Sequence, residues 1–172
     1  KNFKFNHKFK KLINSFIFKN IIFFVGEKKI NNTVIYCIKK NKLFNILKSN
    51  KFYRYVSPSI IKFNNRYLMF FQTYSRITKK YFISTAVSKN LTHWKIKNKK
   101  FLFDKKINYY SPFALKKKNK VFLYYSSGKK NLRAIKLSIF NNNLKLLKGE
   151  KNIINNNKLI DYAPSIIIKD NQ

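Results

Sequence analysis

A chain of 172 residues with 39 Lys and Arg against 5 Asp and Glu carries a formal net charge of +34, and it holds one cysteine, Cys37. A single cysteine excludes an intramolecular disulfide and, inside a strand-like run, reads as a small buried hydrophobe. The apolar stretch Leu12 to Val25 is broken by Asn14, Lys19 and Asn20, so it is too short to span a bilayer and reads as strand rather than anchor or signal core.

The first recognisable unit is partial and covers 21–50. Within it, Ile22-Phe23-Phe24-Val25-Gly26-Glu27-Lys28-Lys29 precedes the β-branched run Thr33-Val34-Ile35-Tyr36-Cys37-Ile38. The next unit, 53–107, is complete. Its Pro58-Ser59-Ile60-Ile61-Lys62-Phe63 predicts a strand, and Asn64-Asn65 predicts a turn because Asn tolerates positive φ. Arg66 to Phe71 then predicts an inner aromatic strand. A third strand fits Tyr81–Val87 and a weaker fourth fits His93-Trp94-Lys95-Ile96. The unit at 108–160 repeats the order, with Leu132–Ile139, a turn at Asn141-Asn142-Asn143 and a strand at Leu144–Leu147, and 161–172 opens another.

The three prolines fix the period. Tyr55-Val56-Ser57-Pro58-Ser59-Ile60, Tyr109-Tyr110-Ser111-Pro112-Phe113-Ala114 and Asp161-Tyr162-Ala163-Pro164-Ser165-Ile166 lie 54 and then 52 residues apart. Seven residues after each proline comes an asparagine, and in both complete units an adjacent aromatic pair follows at twelve and thirteen, Phe70-Phe71 and Tyr124-Tyr125. Four short strands in each period of about fifty residues describe a propeller blade. The chain is therefore expected to be all-β, a partial β-propeller domain over 1–172. Propellers close with four to eight blades, and the repeat predicts an aromatic strand where the chain stops, so a truncated segment with open blade edges is expected.

The charge would ordinarily suggest a polyanion partner. Yet only Arg54, Arg66, Arg76 and Arg133 are arginine, and the lysines fall at turns and strand ends throughout. The excess of Lys, Asn, Ile, Phe and Tyr is what an AT-rich genome encodes, so the charge reads as a solvated surface with no specific nucleic acid and no membrane as partner. Weak, salt-sensitive binding to polyanions stays compatible with it. No targeting signal assigns the chain to the cytoplasm or to secretion.

The order Ser57-Pro58-Ser59-Ile60-Ile61-Lys62-Phe63-Asn64-Asn65-Arg66-Tyr67-Leu68-Met69-Phe70-Phe71, followed by Ile83-Ser84-Thr85-Ala86-Val87-Ser88-Lys89-Asn90-Leu91-Thr92-His93-Trp94, resembles the five-bladed β-propeller glycosidases of families 43, 32 and 130. The resemblance implies a carbohydrate substrate, no cofactor or metal, a monomer when complete, and two carboxyl groups acting on a glycosidic bond from the inner strands. Where those families often place aspartate beside the proline, this chain has Ser57 and Ser59, Ser111 and Phe113, and Ala163 and Ser165. None of these can act as acid or base. Asp161 is the one acid inside a proline phrase, and it reads either as a catalytic channel carboxylate or as an interblade turn cap. Tyr55, Tyr109, Tyr110 and Tyr162, with Arg54 as a donor, are the expected substrate-binding residues, with interblade packing as the alternative. A non-catalytic propeller that binds glycans or proteins, and a lysine-rich nucleic-acid-binding protein, stand as the other readings.

Overall fold

The computed structural model describes residues 10–30, 32–129, 132–154 and 164. They form twelve strands and, among the described residues, no helix, so no helix is long and apolar enough to cross a membrane. The first sheet holds β1 (Lys11–Phe18), β2 (Ile21–Lys29), β3 (Asn32–Lys39) and β4 (Lys42–Lys48), the second β5 (Tyr53–Phe63), β6 (Arg66–Ser75), β7 (Lys80–Ser88) and β8 (Lys95–Leu102). The third holds β9 (Asn108–Lys117), β10 (Lys120–Lys129), β11 (Leu132–Asn141) and β12 (Leu146–Ile154). Each is an antiparallel meander in sequence order, so each is one blade.

Turn chemistry sets the register. Lys19-Asn20 and Lys40-Asn41 both sit at positive φ and close two-residue hairpins, a geometry that matches the twist of the flanking strands. Asn64 and Lys118 occupy the same left-handed region at the β5–β6 and β9–β10 turns. The outer strands lie further along the chain than the sequence predicts. Asn90 Oδ1 accepts the N–H groups of Thr92 and His93, and Ser88 Oγ accepts those of Asn90 and Leu91. This side-chain turn absorbs His93 and Trp94, and β8 starts only at Lys95. A like turn, with Asn141 Oδ1 accepting from Asn143 and Lys145, delays β12 to Leu146.

The adjacent aromatics are explained by the two faces of each blade. Successive side chains on a strand point to opposite faces, so Phe71 and Met69 enter the seam between the first two blades while Phe70 and Leu68 enter the seam between the second and third. The first seam joins Phe23, Val25, Ile35 and Cys37 to Tyr55, Ile60, Met69 and Phe71. The second joins Ile61, Leu68, Phe70 and Ile83 to Tyr109, Val121, Leu123 and Tyr125. All four residues Leu68 to Phe71 are at most 1% exposed, so β6 is buried on both faces. Burying a side chain of this size contributes about 1.5–3 kcal/mol. Burial in the two seams therefore holds neighbouring blades together.

A buried polar link complements the first seam. Thr33 Oγ1 donates to the Tyr55 carbonyl at 2.8 Å and lies 2.7 Å from Ser49 Oγ, which accepts the Tyr55 N–H at 3.0 Å. These bonds satisfy groups that burial would otherwise leave unpaired at about 1–3 kcal/mol each.

Candidate functional site

The first strands of the three blades, β1, β5 and β9, line one cavity of about 940 Å³, with Pro164 at its edge. Each carries an irregularity there. On β1 the pairing with β2 shifts between Leu12 and Asn14. On β5 it shifts between Val56 and Ser59, and on β9 the residues Ser111 and Pro112 fall between the pairs Tyr110–Ser126 and Phe113–Tyr124. The β5 and β9 bulges have the same conformation, with Ser57 at φ 50° and Ser111 at φ 45°, each followed by a buried proline. A residue other than glycine held in this region costs about 1–3 kcal/mol and persists only where the surroundings over-determine it. Here Gln72 Oε1 accepts the Ser111 N–H at 2.9 Å, and Ser59 Oγ accepts the Ala114 N–H at 3.0 Å, so the second blade fixes the third around its bulge. Bulges of this kind re-aim side chains beside functional sites.

The cavity wall combines apolar surface from Ile60 and the prolines with serines, and the exposed Lys62, Lys116 and Lys118 also line it. Asn14 presents a buried Oδ1 with no hydrogen-bond partner. Such an acceptor is costly to leave unmade. Phe16 stacks on Phe23 at 5.2 Å and so anchors β1 to its own blade.

A family model described as the glycosyl hydrolases family 32 N-terminal domain matches residues 58–165, from the β5 bulge onward. The chain belongs to this family. Its fold is the β-propeller of the glycoside hydrolases, with three blades among the described residues. The Bombyx mori GH32 beta-fructofuranosidase BmSUC1 superposes with TM-score 0.55 at 8% identity, covering 78% of this chain and 34% of the silkworm enzyme. Zg3597, a family 117 glycoside hydrolase from the marine bacterium Zobellia galactanivorans, gives TM-score 0.55 at 13% identity over 74% of this chain and 51% of its own. The chain thus spans between a third and about half the length of these structures. No curated protein sequence matches it.

In this family 32 domain the residues expected from the sequence are dispersed. Tyr55 is 5% exposed and meets Phe71 edge-on at 5.3 Å inside the first seam. Tyr109 packs on Tyr125 at 5.6 Å inside the second, where burial, then the nearby Glu150 carboxylate, pushes its hydroxyl well above the ordinary tyrosine range. Both are therefore interblade packing residues that do not line the cavity. Tyr110 lies in a row of rings, 4.9 Å from Tyr81 and beneath the Arg133 guanidinium at 3.9 Å. Arg54 Nη2 stands 3.7 Å from Glu27 Oε1 and joins the first two blades. Asp161 and Tyr162 lie outside the described residues.

Each described carboxylate is engaged elsewhere. Glu27 faces Arg54, and Glu150 pairs with Lys136. Asp104 accepts the backbone N–H groups of Lys106 and Ile107 in the loop before β9, and those bonds hold its carboxyl below the usual range. Among the described residues no carboxylate lines the cavity, and no group of three or more His, Cys, Asp or Glu is placed to hold a metal. Asn14, Ser57 and Ser111 are among the cavity residues that the sequence did not single out as binding groups. The shared serine–proline bulge was the available signal for two of them.

Proposed function

We propose that this chain forms the sugar-binding part of a carbohydrate-active propeller of the glycoside hydrolase type, working as a monomer, with a glycosyl unit seated in the central cavity. The observation that carries the reading is the convergence of β1, β5 and β9 on one cavity of about 940 Å³, large enough for a small saccharide. Family 32 membership supports a carbohydrate as the substrate class. Cleavage would require two carboxyl groups across the bond, and Asp161 is the candidate this chain offers.

The serines preceding Pro58 and Pro112, with the described carboxylates all engaged away from the cavity, favour a second reading in which the domain binds glycan without cleaving it. One experiment separates them. The chain is titrated with fructans and other oligosaccharides and assayed for sugar release from aryl glycosides, beside Asp161→Asn and the cavity-filling Ser111→Trp. Binding lost in a folded Ser111→Trp supports the cavity as the site. Release abolished by Asp161→Asn identifies the hydrolase, binding without release identifies the lectin-like domain, and a folded chain that binds no saccharide overturns the proposal.

A further inference from the structure

We propose that one end of the propeller docks on an anionic membrane surface, with three apolar turn residues entering the headgroup region. The inference does not depend on the sugar reading of the cavity. In each meander the second strand runs opposite to the first, so the β2–β3 turn, the β4–β5 connection and the β6–β7 turn all lie at one end of the first two blades. Each of the three presents one large apolar side chain to solvent, Ile30 at 72% exposure, Phe52 at 44% and Ile77 at 65%. Backbone hydrogen bonds tie these segments into one line. Ser49 donates its N–H to the Thr33 carbonyl just past the first turn, Asn50 Oδ1 accepts the Phe52 N–H at 2.8 Å, and Arg76 donates its N–H to the Phe52 carbonyl at 2.9 Å.

Charge does not set this end apart, because lysines stand at turns throughout the chain. The apolar tips do. At the other end the hairpin turns are Lys19-Asn20, Lys40-Asn41, Asn64-Asn65 and Lys118-Asn119, all polar, as turn chemistry favours. An isoleucine gains nothing from a turn, and neighbouring exposed apolar groups rimmed by charge mark an interaction face. The exposed Lys28 and Lys29 precede Ile30, and the exposed Lys79 follows Ile77. The Lys51 ammonium lies 5.0 Å from the centre of the Phe52 ring, so ring and charge share one spot. Two such faces repel each other in a chain of net charge +34, which disfavours a second copy as the occupant. A protein partner would need a pocket for each separate tip. A bilayer accepts apolar side chains at any spacing and offers acidic headgroups to the lysines between them. The cavity lining reaches Asn64 and Lys118 at the opposite end of the inner strands, so docking leaves its mouth turned away from the bilayer.

The test floats the full chain with phosphatidylcholine vesicles, with and without phosphatidylserine, at low and moderate salt. Binding is expected on the phosphatidylserine vesicles and should weaken as salt rises. The combined Ile30→Ser, Phe52→Ser and Ile77→Ser variant keeps the net charge and should lose about tenfold or more in affinity. Leu146→Ser with Leu147→Ser, which strips exposed apolar side chains near the other end of the third blade, should bind like the parent. Circular dichroism checks the fold of both variants. Phe52→Trp supplies a direct reading of insertion, since its emission should shift to the blue on phosphatidylserine vesicles beyond any change from the half-buried Trp94 of the parent. Equal binding by the parent and the triple serine variant reduces the association to bulk charge and overturns the inference, as does an unshifted Phe52→Trp. Absence of vesicle binding overturns it too, and capture by soluble polyglutamate that needs the same three apolar residues would then assign this end to an acidic protein.

Discussion

Gln72 on β6 accepts the backbone N–H of Ser111 on β9 at 2.9 Å, a bond between blades that lands on the residue held at φ 45°. One side chain of the second blade thereby fixes the strained backbone of the third, beside the cavity. Gln72→Leu keeps the side-chain bulk but strands that N–H, and the expected loss is about 1–3 kcal/mol in urea unfolding. Gln72→Glu retains an acceptor and should recover most of it. Equal losses in both variants would show that the bond carries no weight.

The opposite facing of Phe70 and Phe71 predicts selective coupling. Phe71 meets Tyr55 at 5.3 Å in one seam and Phe70 meets Phe101 at 5.3 Å in the other. Double-mutant cycles with leucine substitutions should return about 0.5–1.5 kcal/mol for each of these pairs. The cross pair of Phe70 with Tyr55 should return close to zero, and a coupling there as large as the others would contradict the two-seam packing.

Cys37 is fully buried, and its thiol reaches the Leu91 carbonyl at 3.6 Å across the first seam. Burial pushes the thiol up to about 11 against the lowering pull of the Lys39 ammonium. A group with a raised value contributes stability that is complete below the unfolded value near 9 and is lost as pH climbs through about 11. The native thiol should resist a disulfide reagent at pH 8 and label only at the rate of opening. Rapid, stoichiometric labelling of native protein would show that the seam is not closed.

Asp104 behaves in the opposite sense. The N–H groups of Lys106 and Ile107 lower its carboxyl, so its contribution is present above the ordinary aspartate value near 4 and fades as pH falls through the lower folded value. Asp104→Asn should cost stability at neutral pH and converge on the parent in strong acid. A difference that stays constant over the whole acid range would remove the charge from the explanation.

The sequence made the blades legible because the proline period and the aromatic pairs report two physical constraints together. Proline is confined to bulges and edges in sheets, and paired aromatics fill two seams at once. Pro58 and Pro112 accordingly mark inner strands, and Phe70-Phe71 marks a strand with no solvent face. The site was harder to read. Tyr55 and Tyr109 flank the prolines in sequence, yet the bulge intervenes, and residues before it follow the seam rather than the cavity. Asn14 escaped notice because β1 reaches the same cavity with a bulge that contains no proline. His93 and Trp94 fit a strand by hydropathy alone, because the hydrogen bonds that Asn90 Oδ1 and Ser88 Oγ accept from backbone N–H groups leave no mark in that pattern.

The serine–proline bulge acts as a parity switch. Two residues stand there where the partner strand spends fewer, so alternation on the far side of Pro58 restarts in a new phase. Replacing a side chain at Ser57 changes what the cavity offers and leaves the phase alone. Removing one residue would instead transpose Ile60 and Ile61 between the two seams and turn the strand inside out. The cavity can thus be rewritten one letter at a time, while its spelling length is fixed by the packing behind it.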